Sequence, residues 1–217
     1  MMKRMLIPAL LFLPLTLFAQ QEKKAGRILE KLSSKHRSNG AIKAKFTSRM
    51  INKKDDVNME RQGSLKMKGN KFVLDMGKQK VYSDGKTRWT FLKESNEVKI
   101  KNANKKSTEG KVVHPTDLFT IWEKGYKYEY AKRIKEDGRS FHVIKLYPKK
   151  PDEKPFHTIQ LKIDKKKEAI HEVRVYGKAG TDYVYVVKDL KENVDLKDET
   201  FVFKPSEHPN VKKVDLR

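Results

Sequence analysis

Bond-making chemistry needs a nucleophile, a paired acid and base, or a set of metal ligands, and this sequence holds few of them in usable arrangements. It has no Cys, which excludes a thiol nucleophile, thiolate zinc and iron–sulfur sites, disulfides and an acylated N-terminal Cys. Six His remain. His171 and Glu172 are adjacent, and neighbours on a regular strand point to opposite faces, so the pair is not expected to converge on one metal. His36, His114, His142, His157 and His208 show no ligand spacing and read as surface or packing residues. Asp55-Asp56 and Asp152-Glu153 sit in polar turns, where carboxylates serve turn geometry. No Gly-x-Ser-x-Gly elbow, His-Glu-x-x-His, phosphate-binding glycine loop or calcium loop is present. The residues therefore point to a protein that is not an enzyme and uses neither metal nor cofactor. What they offer instead is apolar surface.

The chain has 217 residues, 50 Lys+Arg against 28 Asp+Glu, and a formal charge of +22. Its hydrophobic share of 37% is lean, but with many aromatics it still provides for a buried core rather than a disordered chain. Residues 1–19 read as a secretory signal: Lys3 and Arg4, an apolar Met5–Phe18, then Ala19 as the expected cleavage point. Pro8 and Pro14 interrupt the run, which is also short for a membrane span of about 20 residues. The expectation is an exported protein whose residues 20–217 form one domain.

Those apolar residues need elements to place them. Glu22–Arg37 carries Ala25, Ile28, Leu29, Leu32 and His36 on one stripe, an amphipathic helix. Ser38-Asn39-Gly40 stops it. From Ala41 the pattern changes to short alternating runs: Ile42–Ile51, Gln62–Lys68, Lys71–Met76, Lys80–Ser83, Thr87–Lys93, Glu97–Asn102, Tyr126–Lys135, Ser140–Tyr147, Thr158–Asp164, Ala169–Tyr176 and Asp182–Asp189. Asp84-Gly85 between two of them is a tight-hairpin signal, with both residues expected at φ > 0. Sequential hairpins make an antiparallel meander. One stretch, His114–Gly125, reads as a short helix dense in Leu118, Phe119, Ile121 and Trp122. It is either a plug packed against a sheet or a lid over an apolar groove, and periodicity does not separate the two. Ser140–Tyr147 and Asp182–Asp189 carry apolar groups on both faces. The sheet is therefore either covered on both sides or curled around a cavity.

So high a positive charge invites a nucleic-acid reading. Against it stand the export signal and the placement of Lys53-Lys54, Lys105-Lys106, Lys149-Lys150 and Lys165-Lys166-Lys167 in turns, where lysines solvate hairpin tips and discourage edge pairing. The aromatics form no base-stacking ladder. The competing reading is a non-enzymatic envelope-binding domain that docks through its lysines on anionic lipid or glycan.

The order of motifs resembles the LolA family, periplasmic carriers of outer-membrane lipoproteins. Ala44-Lys45-Phe46-Thr47 resembles the family's first-strand Ala-x-Phe pattern. Gly63-Ser64-Leu65-Lys66-Met67-Lys68 resembles its Gly-x-Leu-x-apolar strand, followed by Lys71-Phe72. Val81–Phe91, with Ser83-Asp84-Gly85 and Trp89, resembles its Ser-Asp-Gly hairpin. Ile159–Asp164, Ala169–Val173 and Phe201–Pro205 follow in order.

The resemblance implies a mainly β fold: an unclosed, strongly curved antiparallel β-barrel with an N-terminal helix and a short helical lid. It also implies an apolar cavity for acyl chains lined by Phe46, Leu65, Met67, Phe72, Leu74, Trp89 and Phe91, with Leu118, Phe119 and Trp122 in the lid. The implied partners are an acylated lipoprotein cargo, an inner-membrane ATP-driven releasing complex and an outer-membrane acceptor. The implied setting is the periplasm and the implied state a monomer; a carrier of another lipid is the variant reading. Many members carry an Arg-Pro before the Asn-x-Phe segment, and that Arg is thought to hold the lid. Here the stretch is Lys68-Gly69-Asn70-Lys71-Phe72, so Lys68, Arg61 and Arg88 are the gating candidates. Lys lacks the planar fork of Arg.

Overall fold

Turn residues at intervals of about ten, with apolar and polar residues alternating between them, favour extended hairpins over helices from residue 41 onward. The computed structural model, which describes residues 15–38, 40–103, 121–123 and 125–217, is built this way. One helix, α1 (Leu15–Ser38), precedes twelve strands. These are β1 (Ala41–Asn52), β2 (Val57–Lys68), β3 (Lys71–Asp75), β4 (Gln79–Ser83), β5 (Thr87–Leu92), β6 (Glu97–Asn102), β7 (Tyr126–Glu136), β8 (Arg139–Pro148), β9 (Phe156–Asp164), β10 (Ala169–Gly177), β11 (Thr181–Lys191) and β12 (Lys212–Asp215). They form one unclosed, curved sheet in the order β12-β6-β5-β4-β3-β2-β1-β11-β10-β9-β8-β7. All pairings are antiparallel except β12 with β6. The mainly β, unclosed architecture expected from the sequence is the one observed.

Each face of the sheet has its own core. On the inner face, one cluster joins Ala44, Phe46, Leu65, Met67, Phe72, Leu74 and Val81 from β1–β4 with Ile144, Leu146, Ile159, Leu161, Val173, Val175 and Tyr185 from β8–β11. Ala25, Leu29 and Leu32 of α1 close over it. On the outer face, Val73, Tyr82, Phe91 and Val98 are covered by the C-terminal segment through Leu196, Phe201 and Phe203. Phe203 lies 5.7 Å from Tyr82 and 5.5 Å from Phe91, ring to ring. On β3–β6 the apolar residues of the two strand faces thus have separate partners, whereas on β8 the outer-face Phe141 lies against His171, Arg139 and Lys162.

Three local expectations need correction. The helix begins at Leu15, before the expected Glu22, and is continuous past Ala19; Ala25, Leu29 and Leu32 of the expected stripe are buried. At the Asp84-Gly85 turn only Gly85 has positive φ (90°). Asp84 acts instead through its carboxylate, which accepts from the amides of Lys86 (2.8 Å) and Thr87 (2.7 Å). A Cβ at Gly85 would fall 2.4 Å from the Asn70 amide group. The two-residue φ > 0 turn occurs at Asp137-Gly138 (48° and 71°), closing β7 onto β8.

The third correction concerns His171. A register shift between Ile170 and Glu172 breaks the alternation, so His171 and Glu172 both reach the outer face. His171 stacks on Phe141 at 5.0 Å, and Glu172 approaches Lys162 (3.6 Å). Among the described residues no group of three or more His, Asp or Glu is placed to hold a metal. Of the expected short helix, Ile121–Glu123 is a 3-10 turn; Leu118 and Phe119 lie outside the described residues.

Candidate functional site

Strand register decides which side chains share the inner face, because directly opposed residues point the same way. Ile42, Met67, Phe72, Ser83, Arg88 and Lys101 make one cross-strand row on that face. Ala44, Leu65, Leu74, Val81, Thr90 and Lys99 make the next. The rows start apolar on β1–β4 and end polar or basic on β5 and β6. Phe46 lies one row further, its ring over Gly63; a Cβ there would meet the ring at 2.5 Å. Glycine is what lets an aromatic lie flat on the strand at this position. The Phe46 and Tyr185 rings meet edge to face at 6.4 Å, linking β1 to β11. Burial pushes the Tyr185 phenol well above its ordinary range, with Tyr183 adding to the effect, so this wall is uncharged near neutral pH.

The cover is attached by burial of Ala25, Leu29 and Leu32 of α1 in the inner cluster, with further contacts along its rim. Lys24 Nζ sits 3.6 Å above the Tyr130 ring, and Gly26 lets Tyr128 come close, its hydroxyl 3.3 Å from where a Cβ would stand. Further along α1, Lys31 pairs with Glu168, Lys35 with Glu192 and Arg37 with Glu123. Such exposed pairs contribute little, about 0–1 kcal/mol each. One tether is buried: Trp122 Nε1 donates to Ser33 Oγ at 2.8 Å. A single helix of roughly 10 Å diameter covers only part of a sheet whose twelve strands, at about 4.8 Å spacing, measure roughly 50 Å around the curve.

The structure brings Phe46, Leu65, Met67, Phe72, Leu74 and Trp122 into the one inner cluster. Trp89 and Phe91 are on the other side, in the outer cluster beneath the C-terminal segment. They share a face as expected, and it is the face away from α1. The gating candidates separate in the same way. Lys68 points outward and donates to the Leu196 carbonyl (3.1 Å) and Asp198. Arg61 is exposed near the end of the β1–β2 hairpin, beside Met59 Sδ (3.1 Å). Arg88 is on the inner face in the row of Phe72. Sequence reading missed the β8–β11 half of the wall (Ile144, Leu146, Ile159, Leu161, Val173 and Val175) and Ser33. The alternation in β8–β10 carried a signal for the former; a Ser inside the apolar stripe of α1 was the only sign of the latter.

Residues 15–191 match the family described as outer membrane lipoprotein carrier protein LolA. The chain belongs to the LolA family. No curated protein matches it. Among solved structures, it is similar to an uncharacterised conserved protein from Thermus thermophilus at 11% identity and TM-score 0.60, covering 88% of this chain and 99% of that one. A DUF1329 family protein from Desulfovibrio piger matches at 13% identity and TM-score 0.50, covering 87% and 99%. A LolA superfamily protein from Nitrosomonas europaea matches at 14% identity and TM-score 0.45, covering 82% and 97%. At these identities the likeness to the Thermus thermophilus and Desulfovibrio piger proteins speaks for the fold alone. The LolA family match ends where β11 ends, so the C-terminal segment that covers the outer face lies beyond it.

Proposed function

We propose that the protein is a periplasmic carrier that shields the acyl chains of lipoproteins. It would take them from an inner-membrane ATP-driven releasing complex and pass them to an outer-membrane acceptor, acting as a monomer without cofactor and with residues 1–19 as its export signal. The observation that supports this best is the apolar part of the inner wall, which joins β1–β4 to β8–β11 beneath α1. Each buried CH₂ is worth roughly 0.8 kcal/mol, so an acylated protein does not leave a membrane for water unaided. A wall of Phe, Leu, Met, Val and Ile offsets part of that cost. Loading would exchange the contacts of Ala25, Leu29 and Leu32 of α1 with the wall for contacts with acyl chains, and release would restore them. No bond is made or broken.

The test begins with the protein purified gently from its own periplasm, its native mass recorded and its bound material extracted with organic solvent. An acylated lipoprotein near one-to-one is the expected finding. Protein that is empty, and that also refuses an added triacyl lipopeptide, would favour docking through surface lysines. As the residue-level check, Phe72→Ala is expected to weaken lipopeptide loading at least tenfold while the far-UV circular dichroism is kept. Normal loading by the folded variant would remove Phe72 from the site.

A further inference from the structure

The inner face is not apolar throughout. Along one row, Phe72 on β3 is followed by Ser83 on β4, Arg88 on β5 and Lys101 on β6. Along the next, Leu74 and Val81 are followed by Thr90 and Lys99. An apolar wall therefore runs into three cations within three inter-strand steps, roughly 14 Å. Among the described residues, Glu97 on this end of the face stands 3.8 Å from Lys99 and 3.6 Å from Lys212.

Arg88 is the least satisfied of the three. Its Nη2 makes one long hydrogen bond, 3.5 Å, to the Ala103 carbonyl, and its Nε is buried with no hydrogen-bond partner. A buried guanidinium nitrogen without an acceptor is costly. Among the described residues Arg174 Nε is in the same position, but Arg174 lies on the outer face, 5.7 Å from the Tyr176 ring. Only Arg88 combines an unmet donor with an apolar wall in its own row. A planar fork of donors beside an apolar surface fits a phosphate or carboxylate that ends an acyl chain.

Resting on the reading of the inner face as an acyl-chain site, we propose that this protein prefers anionic amphiphiles. The chain would lie against Phe72, Leu74 and Val81, and the phosphate or carboxylate head at Arg88, with Lys101 and Lys99 adding charge. Among acylated cargo, molecules with a negative group close to their acyl chains would bind most tightly.

The test compares decyl phosphate, the uncharged decyl maltoside and inorganic phosphate by calorimetry below micelle-forming concentrations, on wild type, Arg88→Gln, Arg88→Lys and an outer-face control, Lys66→Gln. Wild type is expected to bind decyl phosphate about tenfold more tightly than decyl maltoside. Arg88→Gln should erase that difference by weakening decyl phosphate binding alone. Arg88→Lys, which keeps the charge and loses the fork, should fall between, and Lys66→Gln should match wild type. Equal affinity of wild type for the two amphiphiles overturns the head-group assignment and leaves the acyl-chain reading standing. So does a loss in Arg88→Gln that is equal for both. Inorganic phosphate binding as tightly as decyl phosphate would make this a phosphate site without a chain. Failure of both amphiphiles to bind overturns the carrier reading itself.

Discussion

Asp164 shows how a single side chain fixes a turn in this sheet. It is almost fully buried at the end of β9, where its carboxylate accepts from Arg139 (2.6 and 3.0 Å) and from the amides of Lys166 (2.9 Å) and Lys167 (3.0 Å). Burial alone would push its pKa up; those amides and the Arg139 guanidinium outweigh burial and hold it below the ordinary range. A depressed folded pKa contributes stability that is complete above the unfolded value of about 3.9 and is lost as pH falls through the folded value. Asp164→Asn is therefore expected to melt lower than wild type at pH 7, by roughly 1–3 kcal/mol, with the gap closing in melts run below pH 4. A gap that does not change with pH would mean the carboxylate's charge is not what holds the turn. Legibility at this scale was uneven. Trp89 and Phe91 were recognisable as a pair on one face from alternation alone, but period two does not say which face. That is settled by register: Tyr82 opposes both Val73 and Trp89, while Phe72 opposes Ser83.

Among the elements, the C-terminal segment departs most from what sequence reading anticipated. Phe201 is fully buried, His208 stacks on Phe203 at 4.8 Å and lies tilted against Phe91 at 4.2 Å, and Lys68 and Lys71 both bind Asp198. Phe201→Ala is expected to cost about 3–5 kcal/mol in urea unfolding, yet to leave lipopeptide affinity at wild-type level, because its cavity opens on the far side of the sheet. A matching loss of affinity would show that the two faces are coupled. Strands with clear alternation and a Gly or Asn turn were readable almost to their ends: Glu97–Asn102 is β6 itself, and Ile42–Ile51 falls one residue short of β1 at each end. The front of β2, Val57–Arg61, was not read; Asn58, Glu60 and Arg61 are polar there because the strand runs past β3, which pairs only from Ser64 onward. β12, Lys212–Asp215, has no alternation to read and owes its place to the backbone of β6.

For the molecule as a whole, the +22 charge and the apolar wall predict opposite responses to salt. Raising NaCl to 1 M shortens the screening length to about 3 Å, so binding to anionic vesicles should weaken strongly while triacyl lipopeptide affinity changes little. A parallel loss of both would favour surface docking over a carrier. Lys53-Lys54, Lys149-Lys150 and Lys165–Lys167 do lie in turns, as expected of solvated hairpin tips, and Lys105-Lys106 lies outside the described residues. The strand order has a kinetic meaning too. β1 sits mid-sheet, and the chain extends from it through β2 to β6 on one side, then returns from the β7 edge to β11 on the other. The two halves meet along one seam, where Lys43 opposes Lys191 and Asn52 opposes Thr181. Every other neighbouring pair except β12–β6 is a local hairpin. Closing the seam waits on partners nearly the whole chain apart, the kind of pairing that slows folding. Until β11 arrives, β1 is an open edge with Phe46 beside it. A chain emerging N-terminus first would be most exposed to misassembly in that interval, and a mutation weakening the seam would slow folding more than one weakening any hairpin.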